Sequence, residues 1–243
     1  MTDLYLQTSE GNGSRATISE KKEEILKRMD HFPLFGRDSQ TDELQKYLMK
    51  ALFSRLGVMS VWGTNGVGKS ASVRYLYFRR LQDDQQLFEK YGWVDVSHPF
   101  NIRDFSRTLL WEFNSDSLET TADAMEECRK IMTRHRCLVV IDGLHSKEEW
   151  DMIQDTLVSR PRSVIIVITT EVSIALHCAG TEDYVFNIKC LEDDAAFDLL
   201  KKEVRYSEGT FQYSFNLLIS CMHRSCCKLY VKHAWECDAR EKQ

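Results

Sequence analysis

Short apolar runs alternate with longer stretches of helical spacing through the middle of the chain. The runs "LGVMSVW" (56–62), "YGWVDV" (91–96), "CLVVID" (137–142), "SVIIVIT" (163–169) and "DYVFNI" (183–188) are rich in β-branched and aromatic residues. Several are apolar on successive residues, which predicts strands covered on both faces, as in a parallel sheet. Strand and helix in regular alternation predict a helix-sheet-helix sandwich with right-handed crossovers. Ahead of the first run, Leu44, Tyr47, Leu48 and Ala51 recur at helical spacing behind a candidate cap at Ser39 or Thr41.

The flanks read differently. Residues 1–16 are polar with Gly and Ser, and "TISEKKEEILKRMD" predicts a short helix capped by Thr17 or Ser19. "LEDDAAFDLLKKEV" (191–204) predicts an amphipathic helix with Glu192, Asp193 and Asp194 at its start, where negative charge suits the helix dipole. Beyond it the periodicity is poor. The chain therefore divides into a linker with one helix (1–30), an α/β domain (31–190) and a partial helical segment with a divergent tail (191–243).

Composition narrows the function classes. With 243 residues, 43 % of them hydrophobic, the chain can bury one good core. Its net charge of -5 comes from interspersed acids and bases, with no basic stripe, so a nucleic-acid partner is not expected. No apolar run approaches the ~20 residues that span a bilayer. The N-terminal "MTDLYLQTSEGNGS" lacks the basic flank and apolar stretch of a secretory signal, so the eight cysteines are expected as thiols of a cytoplasmic protein.

The chemistry sits after the first predicted strand. Gly63, Thr64, Asn65, Gly66, Val67, Gly68, Lys69 and Ser70 match the full GxxxxGK[ST] pattern between a strand and a helix. Glycines let backbone N–H groups approach phosphate oxygens, and the helix N-terminus adds partial positive charge. Lys69 supplies a full charge for the β and γ phosphates, and the Ser70 hydroxyl suits Mg²⁺. Asp142 ends the third predicted strand, at the carboxyl edge where open parallel sheets bind ligands, and is the candidate second Mg²⁺ residue. The fold class expected is a P-loop NTPase three-layer sandwich with a mainly parallel five-stranded sheet, followed by a partial helical subdomain.

Six segments occur in order: "LFGRD", "VWGTNGVGKS", "FEKYGWVDVSHPFNIRDFSRTLLWEF", "CLVVIDGLHSKEEWDMI", "SVIIVITTE" and "YVFNIKCLEDDAAFDLL". In order and spacing the chain resembles the NB-ARC nucleotide-binding module of plant NLR disease-resistance proteins, and "GWVDVS" is the segment most particular to that family. The resemblance implies a switch fold in which ADP holds the off state and ATP the on state. It also implies that the "SVIIVITT" strand lies between the cradle strand and the Asp142 strand, and that Gly36 and Arg37 lie by the adenine and ribose. Partners implied are other proteins of defence signalling, full-length NLR proteins among them.

Departures from the family pattern bear on mechanism. The family's second aspartate is here Gly143, and its γ-phosphate-sensing arginine is here Glu171, after Thr169 and Thr170. Ala71 stands where a second hydroxyl is common. The Gly-Leu-Pro-Leu segment is missing, since the only prolines are Pro33, Pro99 and Pro161, and Met222, His223 and Arg224 come too early to be the family's Met-His-Asp motif. The expectation is a truncated module that binds ADP or ATP with little or no hydrolysis. The alternatives are a competent ATPase completed by an oligomeric neighbour, and a degenerate fragment acting as a decoy or partner-binding piece. Cys221, His223, Cys226, Cys227, His233 and Cys237 fit no standard zinc spacing. His98, His135, His145 and His177 lack a nucleophile or paired carboxylate, and Trp93, Phe100, Phe105, Trp111 and Phe113 are expected in the core.

Overall fold

Five strands pair in the order β2-β3-β4-β1-β5, every neighbouring pair parallel, in a computed structural model of the chain. The structure describes residues 36–54, 57–82, 87–113, 124–157 and 163–192, together with 34, 194–196 and 199. The strands are β1 (Val58–Trp62), β2 (Lys90–Asp95), β3 (Cys137–Asp142), β4 (Val164–Thr169) and β5 (Val185–Asn187). Each falls inside one of the apolar runs, or within a residue of it. The inner strands β3 and β4 are apolar on successive residues because both faces are covered, and all six residues of β4 are buried.

The connecting helices are α1 (Asp38–Leu52), α2 (Lys69–Leu81), α3 (Ile102–Phe113), α4 (Ala124–Arg134), α5 (Lys147–Leu157) and α6 (Val172–Ala179). They cover two faces. On one, Leu44 and Leu48 of α1 and Val73, Leu76 and Tyr77 of α2 pack on Met59, Val61, Leu138, Val140 and Ile166. On the other, Phe105 and Leu109 of α3, Ile131 of α4, Trp150 and Ile153 of α5 and Ile174 of α6 pack on Val139, Ile141, Ile165 and Val167. Strand alternation sends odd and even positions to opposite layers, so the three-layer sandwich follows from the pattern.

Two details differ from expectation. Neither Ser39 nor Thr41 caps α1. Arg37 takes that position, and the Thr41 hydroxyl instead donates back to the carbonyls of Asp38 (2.8 Å) and Arg37 (3.0 Å). Trp111 is 46 % exposed, whereas Phe105 and Phe113 are buried, because 111 falls on the side of α3 away from the sheet. The expected parallel five-stranded sheet is found, with every pairing among the described strands parallel. Residues 194–196 are helical, as expected of the segment after 191. The N-terminal helix with Thr17 and Ser19, and the cysteine-rich tail, lie outside the described residues.

Candidate nucleotide-binding site

The glycine-rich turn runs from the carboxyl end of β1, which lies between β4 and β5, into α2. Gly68 takes φ +96° immediately before the helix, and a Cβ there would press on the Arg37 guanidinium at 3.2–3.4 Å. Gly63 is needed for close approach, since its Cβ would lie 2.8 Å from the Ile188 carbonyl oxygen. Lys69 is buried, and its ammonium donates to the carbonyls of Gly63 (2.9 Å) and Thr64 (3.0 Å). A lysine taken out of water is thus held over the loop by oxygens of the loop itself.

Ser70 and Asp142 come together. The Ser70 hydroxyl donates to the Asp142 carboxylate, which is half-buried at the end of β3. Burial raises the Asp142 carboxyl above its ordinary value; the Ser70 bond lowers it, Asp95 adds to the rise, and Arg74 and Lys69 oppose it. A cation is therefore well matched to this corner, because it offsets the charge that burial and Asp95 disfavour.

Arg37 is joined to the same loop. Its guanidinium donates to the carbonyl of Val67, to that of Lys189 just past β5 (3.0 Å) and to Gln40 Oε1 (3.3 Å). It is 6 % exposed, and burial pulls its pKa below the ordinary value. Gly36 has φ +60° and leaves no room for a Cβ, which would overlap the Ala195 side chain.

At Gly143 and Glu171, two of the positions that depart from the pattern the sequence resembles, the backbone is held by hydrogen bonds. Gly143 (φ +87°) donates its N–H to the Ile168 carbonyl (3.1 Å) and accepts at its own oxygen from His98 Nε2 (3.2 Å). Glu171 is exposed at the start of α6, its N–H bonded to Thr169 Oγ1 (3.2 Å). Two residues near the site were not singled out from the sequence as part of it. Asp95 ends β2 as the register partner of Asp142, and His98 stacks on His145 with ring centroids 3.9 Å apart. A carboxylate closing a predicted strand was the available signal for Asp95, but the strand beside it was not legible.

A parallel sheet with a GxxxxGK[ST] turn after an inner strand, a buried lysine over the turn and a serine-aspartate pair at the carboxyl edge define a P-loop nucleotide-binding domain. Residues 37–209 match the family described as the NB-ARC domain, and the chain belongs to that family. It is 27 % identical over 204 residues to disease resistance protein RGA4 of Oryza sativa subsp. japonica, covering 80 % of this chain and 20 % of that protein. With the probable disease resistance protein RXW24L of Arabidopsis thaliana it is 26 % identical over 218 residues, covering 83 % of this chain and 23 % of that one. The chain thus spans about a fifth of the length of these relatives. Among solved structures, the Orc1 protein of Aeropyrum pernix in complex with DNA superposes with a TM-score of 0.52 at 16 % identity, covering 72 % of this chain and 50 % of that chain. Cdc6p of Pyrobaculum aerophilum gives a TM-score of 0.51 at 15 % identity, covering 70 % and 49 %. At such identity these likenesses speak to the fold alone. Among the described residues no helix is long and apolar enough to cross a membrane, and no group of three or more metal-ligating side chains is present.

Proposed function

We propose that this chain is the ADP/ATP-binding module of a plant NLR-type disease-resistance protein, acting in the cytoplasm as a grip that holds nucleotide with little turnover of its own. The observation that carries the reading is the convergence of Lys69, Ser70 and Asp142 at the carboxyl end of the sheet. Backbone N–H groups of the turn from Gly63 through Thr64, Asn65, Gly66, Val67 and Gly68 receive the phosphates, and Lys69 exchanges loop carbonyls for phosphate oxygens. Gly36 and Arg37 flank the adenine and ribose side. Its partners are other proteins of defence signalling.

Ser70 and Asp142 offer a hydroxyl and a carboxylate, the hard oxygens that Mg²⁺ takes, already within a hydrogen bond of each other. When bound, the ion neutralises phosphate charge. Residues 31–190 form the nucleotide-binding unit in this reading, and 191 onward the start of its helical neighbour. Gly143 in place of an acid and Glu171 in place of an arginine support slow hydrolysis and a preference for ADP.

Purified protein is expected to carry ADP. Charge-assisted hydrogen bonds contribute about 1.5–3 kcal/mol, so Lys69→Ala should weaken Mg-nucleotide binding at least about tenfold, measured by calorimetry. Unchanged affinity in that variant would sink the assignment. Rapid single-turnover cleavage of Mg-ATP would replace the grip with a competent ATPase.

A further inference from the structure

Alternation along β2 turns Tyr91, Trp93 and Asp95 toward α2. The Tyr77 ring of α2 meets Tyr91 and Trp93 edge-on, at 5.8 and 5.7 Å between centroids. Gly92, between them, faces Leu109 and Phe113 of α3 in the opposite layer. On β3, Leu138 and Val140 pack in the α2 layer. Asp142 shares that side, as its bond from Ser70 of α2 requires. Asp95 and Asp142 are register partners at the last position of their strands, and such neighbours lie about 4.8 Å apart across a sheet. The Val96 N–H donates to the Asp142 carbonyl (2.8 Å), so the pairing continues past both acids and fixes their relative height.

Asp95 is aimed as well as near. Trp93 Nε1 donates to its Oδ1 at 2.9 Å, and the indole is itself set by Tyr77 and by the Arg74 guanidinium, 4.7 Å above the ring. Arg74 lies one helical turn beyond Ser70. The residue after Asp142, by contrast, brings no acid: Gly143 has only backbone to offer, and its N–H and carbonyl are both bonded elsewhere.

We propose that Asp95 is the second acid of this site, holding the water shell of the divalent ion at Ser70 and Asp142 from the neighbouring strand instead of from the position after Asp142. A carboxylate beside a hydrated cation acts through the cation's waters, so Asp95 is a positioning residue for the ion. The proposal rests on the nucleotide-binding reading above.

The test is a Mg²⁺ titration of ADP affinity, compared with affinity in EDTA, for the parent chain, Asp95→Asn and Trp93→Phe. Replacing a side chain that holds a metal's ligands or waters in place typically costs about 10- to 100-fold in metal affinity. Asp95→Asn should therefore raise the Mg²⁺ midpoint at least about tenfold while ADP affinity in EDTA stays unchanged, and Trp93→Phe, which removes the donor but keeps a ring, should raise it less. Asp95 is exposed, so its substitution leaves the core intact. An unchanged midpoint in Asp95→Asn overturns the proposal, as does an equal loss of affinity in EDTA, which would mark a structural role. A parent that binds ADP without any Mg²⁺ dependence overturns it while leaving the nucleotide-binding reading in place. A parent that binds no ADP overturns that reading and Asp95 with it.

Discussion

Lys69 places a full charge where the turn otherwise offers dipoles, and Glu171, exposed just past the end of β4, carries the opposite sign. Two like charges about 5 Å apart interact by roughly 3 kcal/mol at an effective dielectric of 20. The Glu171 side chain is exposed, so water and salt reduce that repulsion to the scale of surface pairs. Glu171→Gln is therefore expected to improve ATP affinity relative to ADP by about 0.5 kcal/mol, roughly twofold, read from the ratio of the two Kd values. An unchanged ratio would mean that the carboxylate lies outside the reach of the γ-phosphate. Residues 63–70 were legible because their function depends on spacing within one turn. The bond from Arg37 to Val67, and the approach of Asp95 to Asp142, join segments far apart in sequence, and no local pattern announces such contacts.

Among the elements, strands were the most legible, because burial on both faces leaves unbroken apolar runs. Caps were less so. A hydroxyl near a helix start has two uses, and Thr41 takes the one that bonds backward to a carbonyl rather than forward to an N–H. Ser146 takes the other: its hydroxyl accepts from the Glu149 N–H at 3.1 Å, while Glu149 accepts from the Ser146 N–H at 3.2 Å, which starts α5 with a reciprocal box. That helix carries Trp150, 1 % exposed in the layer that α3, α4, α5 and α6 form on one face of the sheet. Removing a buried ring of this size costs about 3–5 kcal/mol. Trp150→Ala should lower the Tm by on the order of 10 °C in calorimetry, taking about 2–4 °C per kcal/mol for a chain of this length. Trp111→Ala, on the exposed side of α3, should move it far less.

At the scale of the molecule, three thiols buried among the described residues make stability depend on alkali. Burial pushes Cys128, Cys137 and Cys178 up to about 12. In the unfolded chain a thiol titrates near 8.5, so above that pH the unfolded state has released protons that the folded state still holds. Their contribution is fully present below about pH 8.5 and falls by about 1.4 kcal/mol per unit for each thiol as pH rises toward the folded value. Denaturant midpoints should therefore drop steeply as pH rises past about 9. Replacing Cys128 by Ala should flatten the slope between about pH 9 and 10, below the range where the buried Tyr77 hydroxyl, also raised by burial, adds to it. Strand order, which decides what the site contains, is a property of this same scale. The family resemblance supplied the place of β4 between β1 and β3, while periodicity alone left the neighbours of β2 and β5 undetermined. One side chain joins three of these segments. The Arg37 guanidinium is shared by the phosphate turn, the base of α1 and the chain leaving β5, so no one of them can shift without stripping an oxygen from a buried charge. A displacement of the Val67 carbonyl would take an acceptor from the same guanidinium that holds Lys189, so the turn and the exit from β5 are mechanically joined at Arg37.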